Sequence, residues 1–214
     1  LETRLHTRSR NQRAEGETQQ VKELVFATHN QHKINELTAL FCELPIPLKS
    51  LDDFPPFPPD DEDEPSFELN AASKAVHSAK IIGRWCLADD SGLEVAALGG
   101  RPGIHSARYA ADNILRIQRV LKELDGVPQE RRQARFVSAM ALASPEGDVI
   151  IKTGYCEGVI ISEMRGSNGF GYDPIFFIPQ MGKTMAELSL EQKNRISHRA
   201  RSAQMIIPII KSRI

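Results

Sequence analysis

Residues Trp85 to Gly92 read WCLADDSG, an apolar run that ends directly in two carboxylates, a hydroxyl and a glycine. The run Trp85 to Ala88 has the length and composition of a buried strand. Because α/β proteins assemble their sites at strand ends from distant parts of the chain, DDSG is a candidate site. Adjacent side chains on an extended chain point in opposite directions, so we expect one of Asp89 and Asp90 to face a ligand and the other to bond to backbone. An Asp-rich turn without a ligand is the alternative interpretation.

Upstream of this stretch, strand and helix patterns alternate. The sequence LVFAT at 24–28 predicts a short strand, and apolar residues at helical spacing predict a helix through 32–44. A second helix is predicted over 67–82, with Gly83 ending it in the left-handed conformation.

Downstream, a further helix and a hairpin are predicted. Apolar residues lie on one helical face over 111–124, and two strands near 134–143 and 148–160 are joined by SPEGD, which has hairpin-turn chemistry. Ser189 and Gln192 have the spacing of a capping box and begin a helix that continues towards the C-terminus. Early alternation and a late hairpin together predict an α/β fold with a mixed sheet and helices on its faces.

Two stretches have the composition of irregular chain. Residues 1–20 are polar and lack the apolar core of a signal peptide, so we predict a disordered tail followed by a single domain over 21–214. The segment 45–65 is rich in proline and closes with five consecutive acids at 60–64, which predicts an exposed loop.

The composition limits the classes of function. With 27 basic and 28 acidic residues the formal charge is −1, so no global field draws the protein onto nucleic acid or an anionic membrane, and we expect neither as a partner. No apolar stretch approaches the roughly 18 residues that a membrane span needs. The three cysteines form no CxxC motif and fit a reducing compartment, which predicts a cytoplasmic protein in which Cys86 is a small core residue.

Two polar clusters on either side of DDSG suit a nucleotide. In THNQHK, residues 28–33, backbone N–H groups at a helix start are supplemented by Thr28, Asn30 and Lys33 and suit a polyphosphate, although an ordinary capped helix is the alternative. In GSNGFGYDP, residues 166–174, glycines let the backbone approach a ligand. Within that loop Phe170 or Tyr172 offers a ring for stacking on a base, and Asp173 either accepts from a base edge or only caps the turn.

A last cluster lies near the C-terminus. On one helix Lys193 and Ser197 share a face, and Arg199 supplies a planar fork for a phosphate or a base carbonyl. His198 either donates to a purine oxygen or has a hydrogen-bonded surface role. If one of the two DDSG carboxylates binds Mg²⁺, which favours oxygen ligands and retains waters, the four clusters hold the equipment of a nucleotide-hydrolysing site.

Long motifs in a fixed order resemble the inosine triphosphate pyrophosphatase family, whose members remove ITP, dITP and XTP. The similarity spans residues 24 to about 210 and rests on FATHNQHKINEL, LADDSGLEVAALGGRPGIHSARYA, NGFGYDPIFF and KTMAELSLEQKNRISHRARS. It implies an elongated mixed sheet with flanking helices, two lobes, a central nucleotide cleft and a homodimer. It also implies hydrolysis of the triphosphate to the monophosphate and pyrophosphate.

The resemblance also implies a role for each matching residue. Asp90 binds Mg²⁺ and is the catalytic base for the attacking water, and Ser91 contacts the substrate. The remaining substrate-binding residues fall in the other three clusters and are Thr28, His29, Asn30, Gln31, His32, Lys33, Phe170, Gly171, Tyr172, Asp173, Lys193, His198 and Arg199.

A second acidic metal ligand is implied a few residues before the helix that contains Asn70. Alignment on that helix points to Glu62, and Asp61 or Glu64 are alternatives because the loop holds five consecutive acids. The chain departs from the family pattern at Leu69, where the family has glutamate, and in the first loop, where glycine is common.

Two rival functions stay open at this point. A related pyrophosphatase acting on damaged pyrimidine or methylated nucleotides would be distinguished by a panel of triphosphates. A nucleotide-sensing module that binds without turnover would release no pyrophosphate, and the presence of Asp90 and Lys33 argues against it.

Overall fold

The computed structural model of the chain describes residues 20–60 and 63–214. The predicted tail over 1–20 lies outside these residues except for Gln20, and so do Asp61 and Glu62 of the acidic loop. Within the described ranges, the model contains no helix with both the length and the apolar character that crossing a membrane requires.

One seven-stranded sheet organises the fold, in the spatial order β2-β1-β3-β4-β5-β6-β7. The strands are β1 Leu24–Phe26, β2 Leu48–Ser50, β3 Cys86–Val95, β4 Gln133–Ala143, β5 Val149–Ile160, β6 Phe176–Ile178 and β7 Lys183–Thr184. β1 pairs in parallel with β2 and β3, and the remaining neighbours pair antiparallel. The predicted mixed sheet with its late hairpin is therefore confirmed.

Among the residues that the structure describes, five α-helices flank this sheet. They are α1 Gln31–Phe41, α2 Phe67–Ile82, α3 Asn113–Glu123, α4 Leu190–Ile196 and α5 His198–Lys211. α2 ends where the sequence predicts, because Gly83 follows it with φ of 67° and its N–H bonds to the Ala79 carbonyl.

Three short strands were missed by the sequence analysis. β2 lies inside the segment 45–65 that was predicted to be a loop, and β6 and β7 follow the second glycine-rich loop. Each has three residues or fewer, too short for a periodic pattern. Such short strands are stabilised by hydrogen bonds to a neighbouring strand and not by a local sequence pattern, as where β2 pairs with β1.

The C-terminal helix is divided in two, which the sequence analysis also did not predict. Ser197 is extended, with φ of −66° and ψ of 159°, and its hydroxyl accepts the Ala200 N–H at 3.1 Å as the N-cap of α5. Lys193 therefore belongs to α4, and the prediction that it shares a helix face with Ser197 was wrong. The competing signal was the serine itself, since a serine that caps one helix ends the other.

A polar strip crosses one face of the sheet. Along β3 the alternate residues Leu87, Asp89, Ser91 and Leu93 share this face, so the apolar pattern is interrupted twice. Register places Ser91 opposite Ser138 of β4, and Ser138 opposite Gly154 of β5.

Two apolar clusters lie on this face, one on each side of the strip. The first packs Leu87, Met140 and Leu142 against residues of α1 and α5, and the second packs Leu93, Val95 and Phe136 against residues of α3. A third cluster, which includes the fully buried Cys86 predicted to be a core residue, covers the opposite face beneath α2. The interruption of the core by the strip leaves room for a cleft between two apolar bodies.

Candidate active site

The site forms where β3 extends beyond the end of the neighbouring strand β1. β1 pairs with β3 only at Cys86 and Leu87, so the edge of β3 beyond that point has no strand beside it. Lys33 and a turn at Gly103–Arg108 cover parts of this edge: the Lys33 ammonium donates to the Asp89 carbonyl at 2.8 Å, and the Leu93 N–H donates to the Ser106 hydroxyl at 2.8 Å. A cavity of about 340 Å³ opens between them.

Gly92 is required where this turn crosses the strand. A Cβ at that position would lie 2.5 Å from both the Gly103 carbonyl oxygen and the Ser106 hydroxyl. The glycine of DDSG is thus explained by close packing of the turn against β3.

All four predicted clusters reach the cavity. Of the residues predicted to form the site, those that line it are Thr28, Asn30, His32, Lys33, Asp90, Ser91, Phe170, Gly171, Tyr172, Asp173, Lys193, His198 and Arg199. His29 and Gln31 do not line it. The His29 ring lies 2.5 Å from Asp52, and the Gln31 amide donates to Asn35 one turn along α1.

The first loop is a capped helix start that also faces the cavity. The Asn30 side chain accepts the N–H groups of His32 and Lys33 at 3.0 and 3.3 Å, and the Asn30 N–H donates to the Thr28 hydroxyl. The two backbone donors predicted to bind phosphate are therefore occupied by the cap. The charge that this loop contributes comes from the Lys33 ammonium.

Asp89 and Asp90 have opposite surroundings, as the extended backbone requires. Asp89 is buried against the side chains of Arg199, Lys33 and Ser138, with its Oδ2 2.8 Å from Arg199 Nη2 and 3.0 Å from Lys33 Nζ. The prediction that the second carboxylate bonds to backbone was thus wrong. Burial alone would raise the pKa of Asp89, but the charges of Arg199 and Lys33 hold it well below its usual range.

Asp90 faces the cavity with one oxygen free. Its Oδ2 is buried and has no hydrogen-bond partner within residues 20–60 and 63–214. Burial raises its pKa, although the Lys33 and Lys74 charges and a hydrogen bond from Asn70 act in the opposite direction. The same Asn70 side chain accepts the N–H of Glu64 at 3.0 Å, and so ties Asp90 to the end of the acidic loop.

A buried ionic network supports the far side of the cavity. Glu36 of α1 lies between two cations, with Oε1 2.7 Å from Lys193 Nζ and Oε2 bonded to Arg199. Lys193 also lies 2.6 Å from Asp173, and Arg199 continues to Asp89. Burial would raise the pKa of Glu36, but Arg199 and Lys193 lower it, so the network holds its carboxylate ionised.

Sequence analysis missed Glu36 and several other residues of the site. Glu36 follows Lys33 by three positions on α1 and so shares its helix face, a signal that was available in the sequence. Lys74, Asn113 and Arg116 also line the cavity, but nothing in their local sequence distinguishes them from other polar residues of α2 and α3.

The ring of Phe170 forms part of the cavity wall. It stacks on His32 with the centroids 5.2 Å apart, and Lys193 Nζ lies 5.2 Å from its centroid. Tyr172, the alternative platform, is buried and donates to the Ser106 carbonyl. Asp173 accepts the Phe170 N–H at 3.0 Å, so it caps the turn that presents this ring.

His198 is a buried residue, which excludes the surface role that the sequence left open. Its ring stacks on Phe136 at 4.8 Å, and its Nδ1 is buried with no partner in the described part of the chain. Burial and the charge of Arg199 lower its pKa well below the ordinary value. The imidazole at the first position of α5 is therefore neutral.

Among the described residues, Asp90 is the one clear candidate ligand for a divalent cation. No group of three or more His, Cys, Asp or Glu side chains is placed to hold a metal within 20–60 and 63–214. The buried, unpartnered Oδ2 of Asp90 nevertheless fits Mg²⁺, which binds through one or two carboxylates plus waters and substrate phosphates. Glu62, the second predicted ligand, lies outside the described residues.

Comparison with known proteins gives concordant matches. The Ham1 family model matches residues 24–209. The dITP/XTP pyrophosphatase of Geobacillus kaustophilus is 49% identical over 185 residues, covering 85% of this chain and 91% of that protein. The dITP/XTP pyrophosphatase of Shouchella clausii is 50% identical over 185 residues, covering 85% and 93%.

Solved structures agree with these sequences. A HAM1 protein from Coxiella burnetii has a TM-score of 0.81 at 39% identity, covering 89% of this chain and 98% of that one. A nucleoside-triphosphatase / dITP/XTP pyrophosphatase from Mycobacterium abscessus has a TM-score of 0.71 at 41% identity, covering 87% and 99%. The resemblance and the fold class predicted from the motifs are both confirmed, and the chain belongs to the Ham1 family.

Proposed function

We propose that this protein hydrolyses aberrant purine nucleoside triphosphates, namely ITP, dITP and XTP, to the monophosphate and pyrophosphate. The observation that carries the proposal is the buried carboxylate oxygen of Asp90, which has no hydrogen-bond partner in the described part of the chain and lies in a cavity that also presents Lys33 and the Phe170 ring. The names of the relatives, dITP/XTP pyrophosphatase, support the same activity.

Asp90 would act as the catalytic base. In the proposed reaction it orients a water and removes its proton as the water attacks the α-phosphorus in line, and pyrophosphate leaves. A raised pKa brings a carboxylate closer to the pH at which a general base works best. Lys33 and Lys74 lie close enough to act on Asp90 electrostatically, so phosphates bound there would meet positive charge.

Magnesium dependence is part of the proposal. Asp90 would hold the ion, together with Glu62 or a neighbouring acid, Asp61 or Glu64, from the loop that Asn70 ties to it. When bound, Mg²⁺ would supply neutralisation of the triphosphate charge. Among the described residues Asp90 offers one carboxylate contact to the ion, and a magnesium ion bound to a nucleotide commonly uses one or two such contacts.

Selectivity would depend on donors that meet O6 of the base. A neutral imidazole retains one N–H, so His198 can donate to an oxo group. An exocyclic amino group at the same position would leave that donor unpaired, which disfavours adenine. The buried network fixes the Lys193 and Arg199 cations beside this end of the cavity.

Two wider properties belong to the same proposal. We infer a homodimer from the family resemblance, and a cytoplasmic location because a pool-cleansing enzyme must reach free nucleotides. The thiols support the location, since Cys42, Cys86 and Cys156 are all unpaired in the fold.

The test is a product analysis with a panel of substrates. Purified protein is incubated with dITP, XTP, dATP and dGTP, with and without Mg²⁺, and the products are resolved by chromatography. We expect metal-dependent release of pyrophosphate from dITP and XTP, with the Asp90→Asn variant slower by about 100-fold or more. Asp125→Asn, which removes an exposed carboxylate after α3, is the matched control and should retain full activity.

Each other outcome selects a different function. Equal turnover of all four substrates would remove the selectivity argument. Turnover confined to damaged pyrimidine or methylated nucleotides would favour the related pyrophosphatase. Binding without any product would indicate a nucleotide-sensing module.

A further inference from the structure

The cations of the cavity differ in how their charge is compensated. Lys33 lies against Asp89, Lys193 lies between Glu36 and Asp173, and Arg199 bridges Asp89 and Glu36. Three cations thus face three buried carboxylates in a network that is balanced before any ligand arrives. A polyphosphate entering the cavity adds negative charge to this balanced network, so a cation without a carboxylate partner would stabilise it further.

Arg116 of α3 is a cavity cation outside this balance. It lines the cavity and is half-buried, and no carboxylate of residues 20–60 or 63–214 forms an ion pair with it. Its Nε donates to the Ala110 carbonyl at 3.1 Å and its Nη1 to the Asn113 side-chain oxygen at 3.0 Å. Two of its five N–H groups therefore bind neutral oxygens that orient the guanidinium, and the others have no partner in the described chain.

Arg116 and Lys33 approach the cavity from opposite sides of the polar strip. α3 packs in the second apolar cluster, with Leu93, Val95 and Phe136, whereas α1 packs in the first, with Leu87 and Met140. A ligand that spans the strip would therefore contact Lys33 of α1 on one side and Arg116 of α3 on the other. The base and the sugar of a purine nucleotide are neutral, so the triphosphate is the part of the substrate with which a guanidinium forms its strongest, charge-assisted hydrogen bonds.

We propose that Arg116 is a further substrate-binding residue, which grips the polyphosphate from the α3 side of the cavity. This inference rests on the proposed function. Asn113 and the Ala110 carbonyl are positioning groups that hold the guanidinium in place. The leaving pyrophosphate remains in contact with Arg116 after the bond to the α-phosphate has broken.

The test separates phosphate binding from base binding. Wild type, Arg116→Ala and Arg116→Lys are compared for the dITP KM and kcat, and binding of inorganic pyrophosphate and of inosine is measured by calorimetry. Lys122→Ala is the control, because it removes an exposed cation of the same helix that does not line the cavity. Thermal unfolding checks that each variant is folded.

We expect Arg116→Ala to raise the KM for dITP and weaken pyrophosphate binding by about 10- to 100-fold, as for loss of a charged hydrogen bond. Inosine binding should stay unchanged, Arg116→Lys should recover part of the loss, and Lys122→Ala should behave as wild type. Unchanged KM and pyrophosphate affinity in a folded Arg116→Ala protein would overturn the inference, and so would an equal loss of inosine affinity.

The inference and the proposed function can fail separately. If wild type hydrolyses none of the triphosphates, the proposed function fails, whereas calorimetry still compares pyrophosphate binding in wild type and variant. If wild type hydrolyses dITP and Arg116→Ala matches it in both measurements, only the role of Arg116 is refuted.

Discussion

At the scale of single residues, two neighbouring aspartates have opposite effects on stability. Asp89 is held ionised by Arg199 and Lys33 inside the sheet face that carries the polar strip. Asp90 keeps a buried oxygen that has no partner among residues 20–60 and 63–214, and burial raises its pKa. The first carboxylate supports the fold, and the second is kept available for chemistry.

Substituting each aspartate by asparagine should separate these roles. Asp89→Asn removes one of the two buried carboxylates that pair with Arg199, a carboxylate that also pairs with Lys33, so it should lower the free energy of unfolding by about 3–5 kcal/mol. Asp90→Asn removes a carboxylate whose charged form is disfavoured by burial, so stability at pH 7 should be equal or higher while turnover is lost. Urea denaturation measured beside the dITP assay checks both.

Equal destabilisation by the two variants would contradict this assignment. Asp125→Asn again serves as the control for a neutralised surface carboxylate. A stable Asp89→Asn protein would mean that Glu36 alone compensates the charge of Arg199 in the folded state.

Residue types at the site were predictable, but their partners were not. DDSG and the capped start of α1 were visible as motifs because each is local in sequence. The bond between Glu36 and Arg199 joins residues 163 positions apart. No local pattern carries such a contact: the spacing of Glu36 from Lys33 could place both on one face of α1, but the bond to Arg199 and the position of Arg116 depend on the sheet bringing α1, α3 and α5 to one cavity.

At the scale of elements, the contact between α5 and β5 positions the cavity-lining residues His198 and Arg199. A Cβ on Gly154 of β5 would lie 2.3 Å from the His198 carbonyl oxygen and 2.5 Å from the Ser202 N–H. Both atoms are backbone of α5, so they cannot move aside as a side chain would. The glycine therefore fixes how closely His198 and Arg199 approach the polar strip.

The Gly154→Ala substitution should displace α5. We expect a loss of about 1–3 kcal/mol in the free energy of unfolding, as for overpacking, and a higher KM for dITP because His198 and Arg199 move together. Urea denaturation and steady-state kinetics measure the two effects.

Gly83→Ala provides the matched control. Gly83 has φ of 67° and a Cβ there would meet nothing within 4 Å, so the alanine is strained without steric contact. It should lower stability by about 1–2 kcal/mol and leave the KM unchanged. If Gly154→Ala left both stability and KM as in wild type, α5 would have to lie farther from β5 than the structure places it.

Long elements were predicted from the sequence and short ones were not. α2 and the β4–β5 hairpin have apolar periodicity or turn chemistry that specifies them locally. β2, β6 and β7 have three residues or fewer and depend on their neighbours. The break at Ser197 was hidden because the apolar pattern continues across it, and a serine can either cap a helix or lie within one.

At the scale of the whole molecule, the cleft follows from one interruption of the core. The alternating residues Leu87, Asp89, Ser91 and Leu93 show the interruption in the sequence of β3 alone. Its extension across the sheet depends on the register that sets Ser91 beside Ser138 and Gly154. That register is a tertiary property, which explains why the clusters were predictable and the shape of the site was not.

Burial of His198 makes global stability depend on pH. The ordinary pKa of the imidazole is 6.5, and burial and Arg199 lower it well below that value in the folded state. Below about pH 6.5 the unfolded chain therefore binds a proton that the folded chain does not. The sign is thus fixed: His198 contributes stability above pH 6.5 and that contribution falls as the pH falls.

We expect the free energy of unfolding to depend less steeply on pH in His198→Gln than in wild type. Between pH 7.5 and pH 5.5, His198 should contribute up to about 1.4 kcal/mol per pH unit to the loss of wild-type stability. The glutamine variant should lack this part of the slope, while His105→Gln, at an exposed histidine, should keep it. Urea denaturation at each pH gives the free energies. Parallel curves for wild type and His198→Gln would show that the imidazole titrates alike in both states, and that protons reach it in the folded cleft.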